Sequence, residues 1–289
     1  MALALIVTGA FAQETTSGMT TKKGETILPE ADDWALSIDA VPVMNYLGNV
    51  LNGNTNNASP SFGYPGTPLA ITAKMFKDEK TAYRGMLRLG FGSTTMNNFV
   101  DDNVNTTDPA AMVNDSWKSA YHSIVLGAGY EMRRGKTRLQ GFYGGMFMIG
   151  LGGSKSTYTY GNGITSTNQN PTSTVWTPTV TAGPLGTRTL EDKAGSTFML
   201  GLRAFGGAEY FIFAKMSIGA EFGWGLAMMN TGEGEKTTET WNTVVVAPAV
   251  PAVAQTKTKT GKSSTFGLDT DVNGTQMIPS ASLNLTLHF

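Results

Sequence analysis

Apolar and polar residues alternate along eight stretches of the chain, which is the period of a strand with two different faces. The stretches are Trp34–Leu47, Pro68–Phe76, Ala82–Gly92, Ser119–Met132, Thr137–Gly150, Ser196–Tyr210, Lys215–Met228 and Gln276–Phe289. In each, one phase is apolar, as in Leu36/Ile38/Ala40, Leu69/Ile71/Ala73, Leu87/Leu89/Phe91 and Phe222/Trp224/Leu226. No apolar-phase position carries a charge. The charged residues Asp39, Lys74, Arg84, Arg88, Glu131, Arg138, Arg203, Glu209, Lys215 and Glu221 all take the other phase. A cation on the lipid face at mid-bilayer costs about 2–4 kcal/mol, so this segregation is what a membrane-spanning strand requires.

Short connections alternate with long ones. Lys77–Lys80, Arg133–Lys136 and Phe211–Ala214 are short, whereas Gly48–Thr67, Ser93–Lys118, Leu151–Gly195 and Met229–Thr275 are long. That asymmetry and the even strand count predict an all-β fold: an eight-stranded antiparallel up-and-down transmembrane β-barrel with long extracellular loops. A soluble sandwich alternates too, with its apolar side turned to a core. Aromatic residues at the strand ends favour the membrane: Trp34, Tyr83, Tyr130, Tyr210 and Phe289 at one rim, Tyr46, Phe91, Phe198 and Trp224 at the other. So do the glycines of the inward phase (Gly90, Gly127, Gly129, Gly144, Gly201, Gly207, Gly219, Gly223 and Gly225), which give room inside a narrow ring.

Composition narrows the choice further. The chain has 289 residues, 35 glycines, no cysteine, a net charge of −1 and 15% charged residues. Absence of cysteine excludes disulfide scaffolds and thiol chemistry, and the charge balance gives no reason to expect nucleic acid. Residues 1–12 combine a short apolar run, Leu3–Val7, with a small-residue site at Ala10-Phe11-Ala12. They read as a signal peptide for export, residues 13–33 as a periplasmic segment and 34–289 as the barrel. The end of the last stretch, with Leu283, Leu285, Leu287 and Phe289 on one phase, resembles the signal that Gram-negative outer-membrane barrels present to their assembly machinery.

The segment Ala208-Glu209-Tyr210-Phe211-Ile212-Phe213-Ala214-Lys215-Met216-Ser217-Ile218-Gly219-Ala220-Glu221-Phe222-Gly223-Trp224-Gly225 resembles a hairpin of small outer-membrane barrels. These are the OmpX/OmpA-like, Bacteroidetes-type outer membrane protein beta-barrel superfamily, and the likeness covers the strand framework. It implies an eight-stranded barrel in the outer membrane, with the bilayer and the assembly machinery as partners. It implies no single activity.

Eight strands enclose a space that side chains fill. The ten inward charges named above are expected to pair, giving an ionic plug, with Arg84 and Arg88 as its central cations. The alternative is a narrow porin-like channel for ions or small solutes. No cofactor is implied and no enzyme is expected. The two histidines, His122 and His288, fall at opposite ends, so a shared Ser–His–acid site is not expected, and Ser280, Ser282 and Thr286 read as polar lining. Gly261-Lys262-Ser263 imitates the end of a phosphate-binding loop, but Thr256 stands where its first glycine belongs. Asp269, Asp271 and Asn273 match the first half of a calcium loop, with Ser280 where the bidentate glutamate is needed. An Asx-rich turn ending in Asn273-Gly274 accounts for them equally well. The long loops are rich in Thr, Ser, Asn and Gly, interrupted by the apolar run Val244–Val253. They read either as solvated loops or as a projecting edge for adhesion, envelope integrity or a surface partner, with Trp176 and Trp241 as anchors.

Overall fold

The computed structural model describes residues 19–53, 70–104, 107–108, 110–176, 179–242, 252–269 and 281–289. Residues 1–12, expected to be a signal peptide, the run Val244–Pro251, and Asp271, Asn273 and Gly274 therefore lie outside the described residues. The described residues are all-β apart from one helix. Its strands are β1 (Trp34–Asp39), β2 (Ala70–Asp78), β3 (Thr81–Asp101), β4 (Met112–Arg134), β5 (Leu139–Thr159), β6 (Thr172–Val175) and β7 (Thr181–Pro184). They continue as β8 (Thr187–Lys193), β9 (Thr197–Phe213), β10 (Met216–Thr231), β11 (Gly234–Asn242), β12 (Ala252–Thr260), β13 (Ser263–Asp269) and β14 (Ala281–His288).

Eight of these close an antiparallel ring in the order β1-β2-β3-β4-β5-β9-β10-β14, with β14 returning to β1 at Ile38↔Leu285. Each ring strand falls on one of the eight alternating stretches, and neighbours in the chain are neighbours in space.

Two departures change the outline. The first stretch stops at Asp39, and Val41–Leu51 form helix α1. Pro42, in the first turn, has no N–H to give a ladder and is preset for a helix start. Ala40, expected outward, is buried, and Tyr46, expected in an aromatic rim, is on α1.

The second departure is larger: the ring belongs to a twelve-stranded sheet. β3, β4 and β5 run for 21, 23 and 21 residues, about twice the 9–11 that a tilted strand needs to cross a bilayer. β8, β11 and β12 prolong β9, β10 and β13. The pairing Thr231↔Thr197 continues in register as Glu235↔Lys193, and Thr231↔Ser263 continues as Gly234↔Thr260. A six-stranded upper sheet, β12-β11-β8-β5-β4-β3, thus stands on the ring where loops were expected. Its strands are rich in Thr, Ser, Asn and charged residues, and their few apolar residues (Met96, Phe99, Val100, Met112 and Trp117 among them) keep no single phase, so alternation does not mark them. The hairpin β6–β7 lies against the concave side: the Asn98 amide donates to Thr174 Oγ1, and Trp117 lies 6.4 Å from Trp176 between ring centroids.

Side-chain facing follows the alternation. The apolar phase points out of the ring, with Leu202 56%, Trp224 59% and Phe147 45% exposed, and no second sheet covers it among the described residues. The other phase is buried in the lumen. Several inward glycines are sites of close approach: a Cβ on Gly223 would overlap the Arg203 guanidinium, and one on Gly207 the Phe142 ring.

Candidate functional site

The lumen holds a buried ionic cluster on β2, β3, β4, β9 and β10. Glu131, fully buried, meets Lys74 at 3.2 Å, Arg84 at 3.4 Å and Arg133 at 2.8 Å. Glu209 meets Lys74 at 3.5 Å and Arg133 at 2.8 Å. Glu221 takes Arg84 at 2.6 Å and Arg203 from across the β9–β10 pair. Each carboxylate therefore bridges at least two cations. Carboxylates and guanidiniums in a dehydrated interior are tolerable only when matched this way. Aromatic faces complete the setting: the Arg84 guanidinium lies 4.3 Å from the Phe205 centroid and the Lys74 ammonium 5.0 Å from that of Phe142.

The cluster joins Lys74, Arg84, Glu131, Arg203, Glu209 and Glu221 of the expected network. Asp39 and Arg88 are half-buried on the same inward side. Arg138 sits at the short-turn rim, donating to the carbonyl oxygens of Phe211 and Ile212. Lys215 corrects the expectation: it occupies the β9–β10 turn and is exposed, because the strand pairing resumes only at Met216. Arg133 was missed. Arg133-Arg134-Gly135-Lys136 looks like a turn, but β4 runs to Arg134, and the parity of Glu131 carries Arg133 inward. Extending the alternation of Tyr130 and Met132 by one more step would have found it.

Apolar layers bound the cluster on both sides. Towards the long loops, Met86, Val125, Met146, Met148, Met199 and Met229 pack with Phe142 and Phe205. Towards the short turns, Phe76 and Phe211 are fully buried, and Ile27 packs on Phe211 and Ala214. Ile27 belongs to a small N-terminal hairpin closed by the Thr20↔Thr26 bridge. The charged layer is thus enclosed between two apolar ones.

Beneath the cluster lies a serine–histidine–glutamate contact. Ser217 Oγ donates to Glu209 Oε1 and is 3.0 Å from His288 Nε2, which is itself 3.4 Å from Glu209. A hydrolytic triad needs serine and carboxylate on opposite nitrogens of the ring. Here both share Nε2, Nδ1 has no hydrogen-bond partner among the described residues, and Ser217 is fully buried. His288 lies 5.0 Å from the Phe211 ring centroid. The contact ties β9, β10 and β14 together. His122, by contrast, is exposed on the outward side of β4.

In the upper sheet a second polar centre secures the β6–β7 hairpin. Buried Asp115 accepts from the backbone N–H groups of Gly161 (2.8 Å) and Thr174 (2.7 Å). Arg188 donates to Glu239, the Asn162 carbonyl and Ser173 Oγ, and lies 4.4 Å from the Tyr160 ring. Burial pushes the Tyr160 hydroxyl up to about 12, so it stays protonated and donates to the Thr189 carbonyl. Trp176 is buried beside Trp117, which removes it as an exposed anchor, whereas Trp241 is half-exposed. Of the calcium-loop candidates, Asp269 ends β13. Leu283, Leu285 and Leu287 share the outer side of β14 and Phe289 is exposed.

Neither the protein-family models nor the curated proteins contain a match to this chain.

Proposed function

We propose that this chain is an eight-stranded outer-membrane β-barrel of the OmpX/OmpA-like kind, without enzymatic activity, whose lumen is occluded and whose upper sheet meets the environment or an envelope partner. The observation that carries this is the inversion of the ring: its apolar side is outermost and its charges innermost. Water does not favour that arrangement over so wide a contiguous band, and hydrocarbon does. The short turns and termini then face the periplasm and the upper sheet the exterior. The two apolar layers and the matched charges favour a closed lumen over the channel, because an ion leaving the cluster has to cross methionine and phenylalanine side chains on either side.

The test has two parts. The protein is expected in the outer-membrane fraction, extractable only with detergent and migrating differently on unheated gels. Recovery in the soluble fraction without detergent ends the proposal. In planar bilayers no steady conductance is expected; salt-dependent openings abolished by Arg84→Gln would replace the occluded lumen with the channel.

A further inference from the structure

We infer that Lys118, Lys155 and Lys193, on the outward face of the upper sheet, hold the phosphates of anionic lipid headgroups in the leaflet nearest the long loops. This rests on the membrane reading above. The three lysines lie on adjacent strands β4, β5 and β8. Lys155 stands directly across from Lys193, and Lys118 faces Thr157, two residues further along β5. Like charges directly opposed on one sheet face repel, an arrangement that an anion shared between them relieves.

Height singles out the ligand. On β5 the outward apolar series ends at Leu151, and Lys155 follows four residues on, about 13 Å along the strand and about 10 Å along the normal of a bilayer. On β4 Lys118 stands six residues beyond Ile124, about 20 Å along the strand and about 15 Å along the normal, and Lys193 stands five residues before Phe198, level with Lys155 in register. The headgroup layer begins where hydrocarbon ends and is about 5–8 Å deep, and lysine stems snorkel back towards it.

Acidic neighbours leave this patch basic. Glu191 pairs with Lys155 at 2.9 Å, but Lys118 and Lys193 form no ion pair within 4 Å among the described residues. Glu235, opposite Lys193 in register, is engaged by Lys257 at 2.7 Å. The lysines of β12 are matched by Glu233 and Glu235, so they add little.

The experiment reconstitutes the full chain in vesicles of phosphatidylcholine alone and of equal parts phosphatidylcholine and phosphatidylglycerol. Lipids retained after mild extraction are then counted by native mass spectrometry. Phosphatidylglycerol is expected to be enriched on the unmodified protein. Lys118→Gln/Lys155→Gln/Lys193→Gln is expected to reduce that enrichment about tenfold or more. The corresponding triple arginine variant keeps it, and Glu191→Gln increases it. Excess inorganic phosphate is expected not to displace the lipid; displacement would make this a free-phosphate site and overturn the inference. Equal enrichment on the glutamine variant overturns it as well. Entry into both vesicles without lipid preference defeats this inference alone, whereas failure to enter either defeats the membrane reading and the inference with it.

Discussion

The same long strands build two regions with opposite surfaces. In the ring, charges are inside and the outside is Leu, Phe, Tyr, Trp and Met. In the upper sheet, Lys155–Glu191, Lys257–Glu235 and Lys259–Glu233 pair on the outside, while the concave side buries Asp115, Asn162 and Arg188. β4 and β5 pass through both regions without a break. Backbone pairing is therefore indifferent to its surroundings, and the outer face changes from apolar to polar partway along each strand. The buried polar groups differ too. Those of the ring are ions bridging ions, whereas those of the upper sheet are largely ions bonded to backbone and hydroxyl groups.

The strongest test of this contrast is Glu131→Ala. It removes the one carboxylate that Lys74, Arg84 and Arg133 all share, leaving Lys74 and Arg133 on Glu209 and Arg84 on Glu221 with one buried charge too few, and is expected to destabilise by about 3–5 kcal/mol, read as a fall in the urea midpoint of the vesicle-inserted protein. A midpoint unchanged from that of the unmodified protein would mean the cluster is hydrated.

Next comes a charge on the outer face. Leu202→Arg is expected to cost about 2–4 kcal/mol and to deplete the heat-modifiable form. Thr157→Arg, outward on the upper part of β5, should stay within about 0.5 kcal/mol. Equal effects at the two sites would erase the contrast between the two outer faces.

A smaller and more local effect is expected of Asp115→Ala. It strands the N–H groups of Gly161 and Thr174 at about 1–3 kcal/mol. Amide exchange should quicken in β6–β7 and leave the ring protected.

Smallest is the response to acid. The lysine partners Lys259 and Lys257, by hydrogen bond and charge, hold the carboxyls of Glu233 and Glu235 below the usual carboxylate range. Their folded values lie below their unfolded ones, so the contribution is complete at neutral pH and fades as pH falls below the ordinary carboxylate value. Both groups are open to solvent, which screens their pairs, and the expected sign is only a modest rise in exchange along β11–β12, with the ring unmoved. An equal rise in the ring would show that the two regions open together.

What was legible in the residues follows from the period of a strand. Alternation located all eight ring strands, and segregation of charge assigned their faces, placing Lys74, Arg84, Glu131, Arg203, Glu209 and Glu221 inward. Arg133 and Lys215 exchanged places because Arg133, next to Arg134-Gly135, looks like a solvated turn while Lys215 continues the phase of its strand, and in each case one residue of strand extension decides. The first stretch hid a helix because Leu36–Leu47 keeps enough apolar positions to suit either period once Pro42 intervenes.

The sequence by itself determined the eight alternating segments and their two faces, since a period of two is a local property that each strand carries alone. Only the tertiary structure decided which cation meets which carboxylate, that Ile27 and the methionines enclose them, and that Thr- and Ser-rich segments prolong the strands. Those outcomes depend on register between segments far apart in the chain, and a strand whose buried face is itself largely polar carries no apolar phase to announce it.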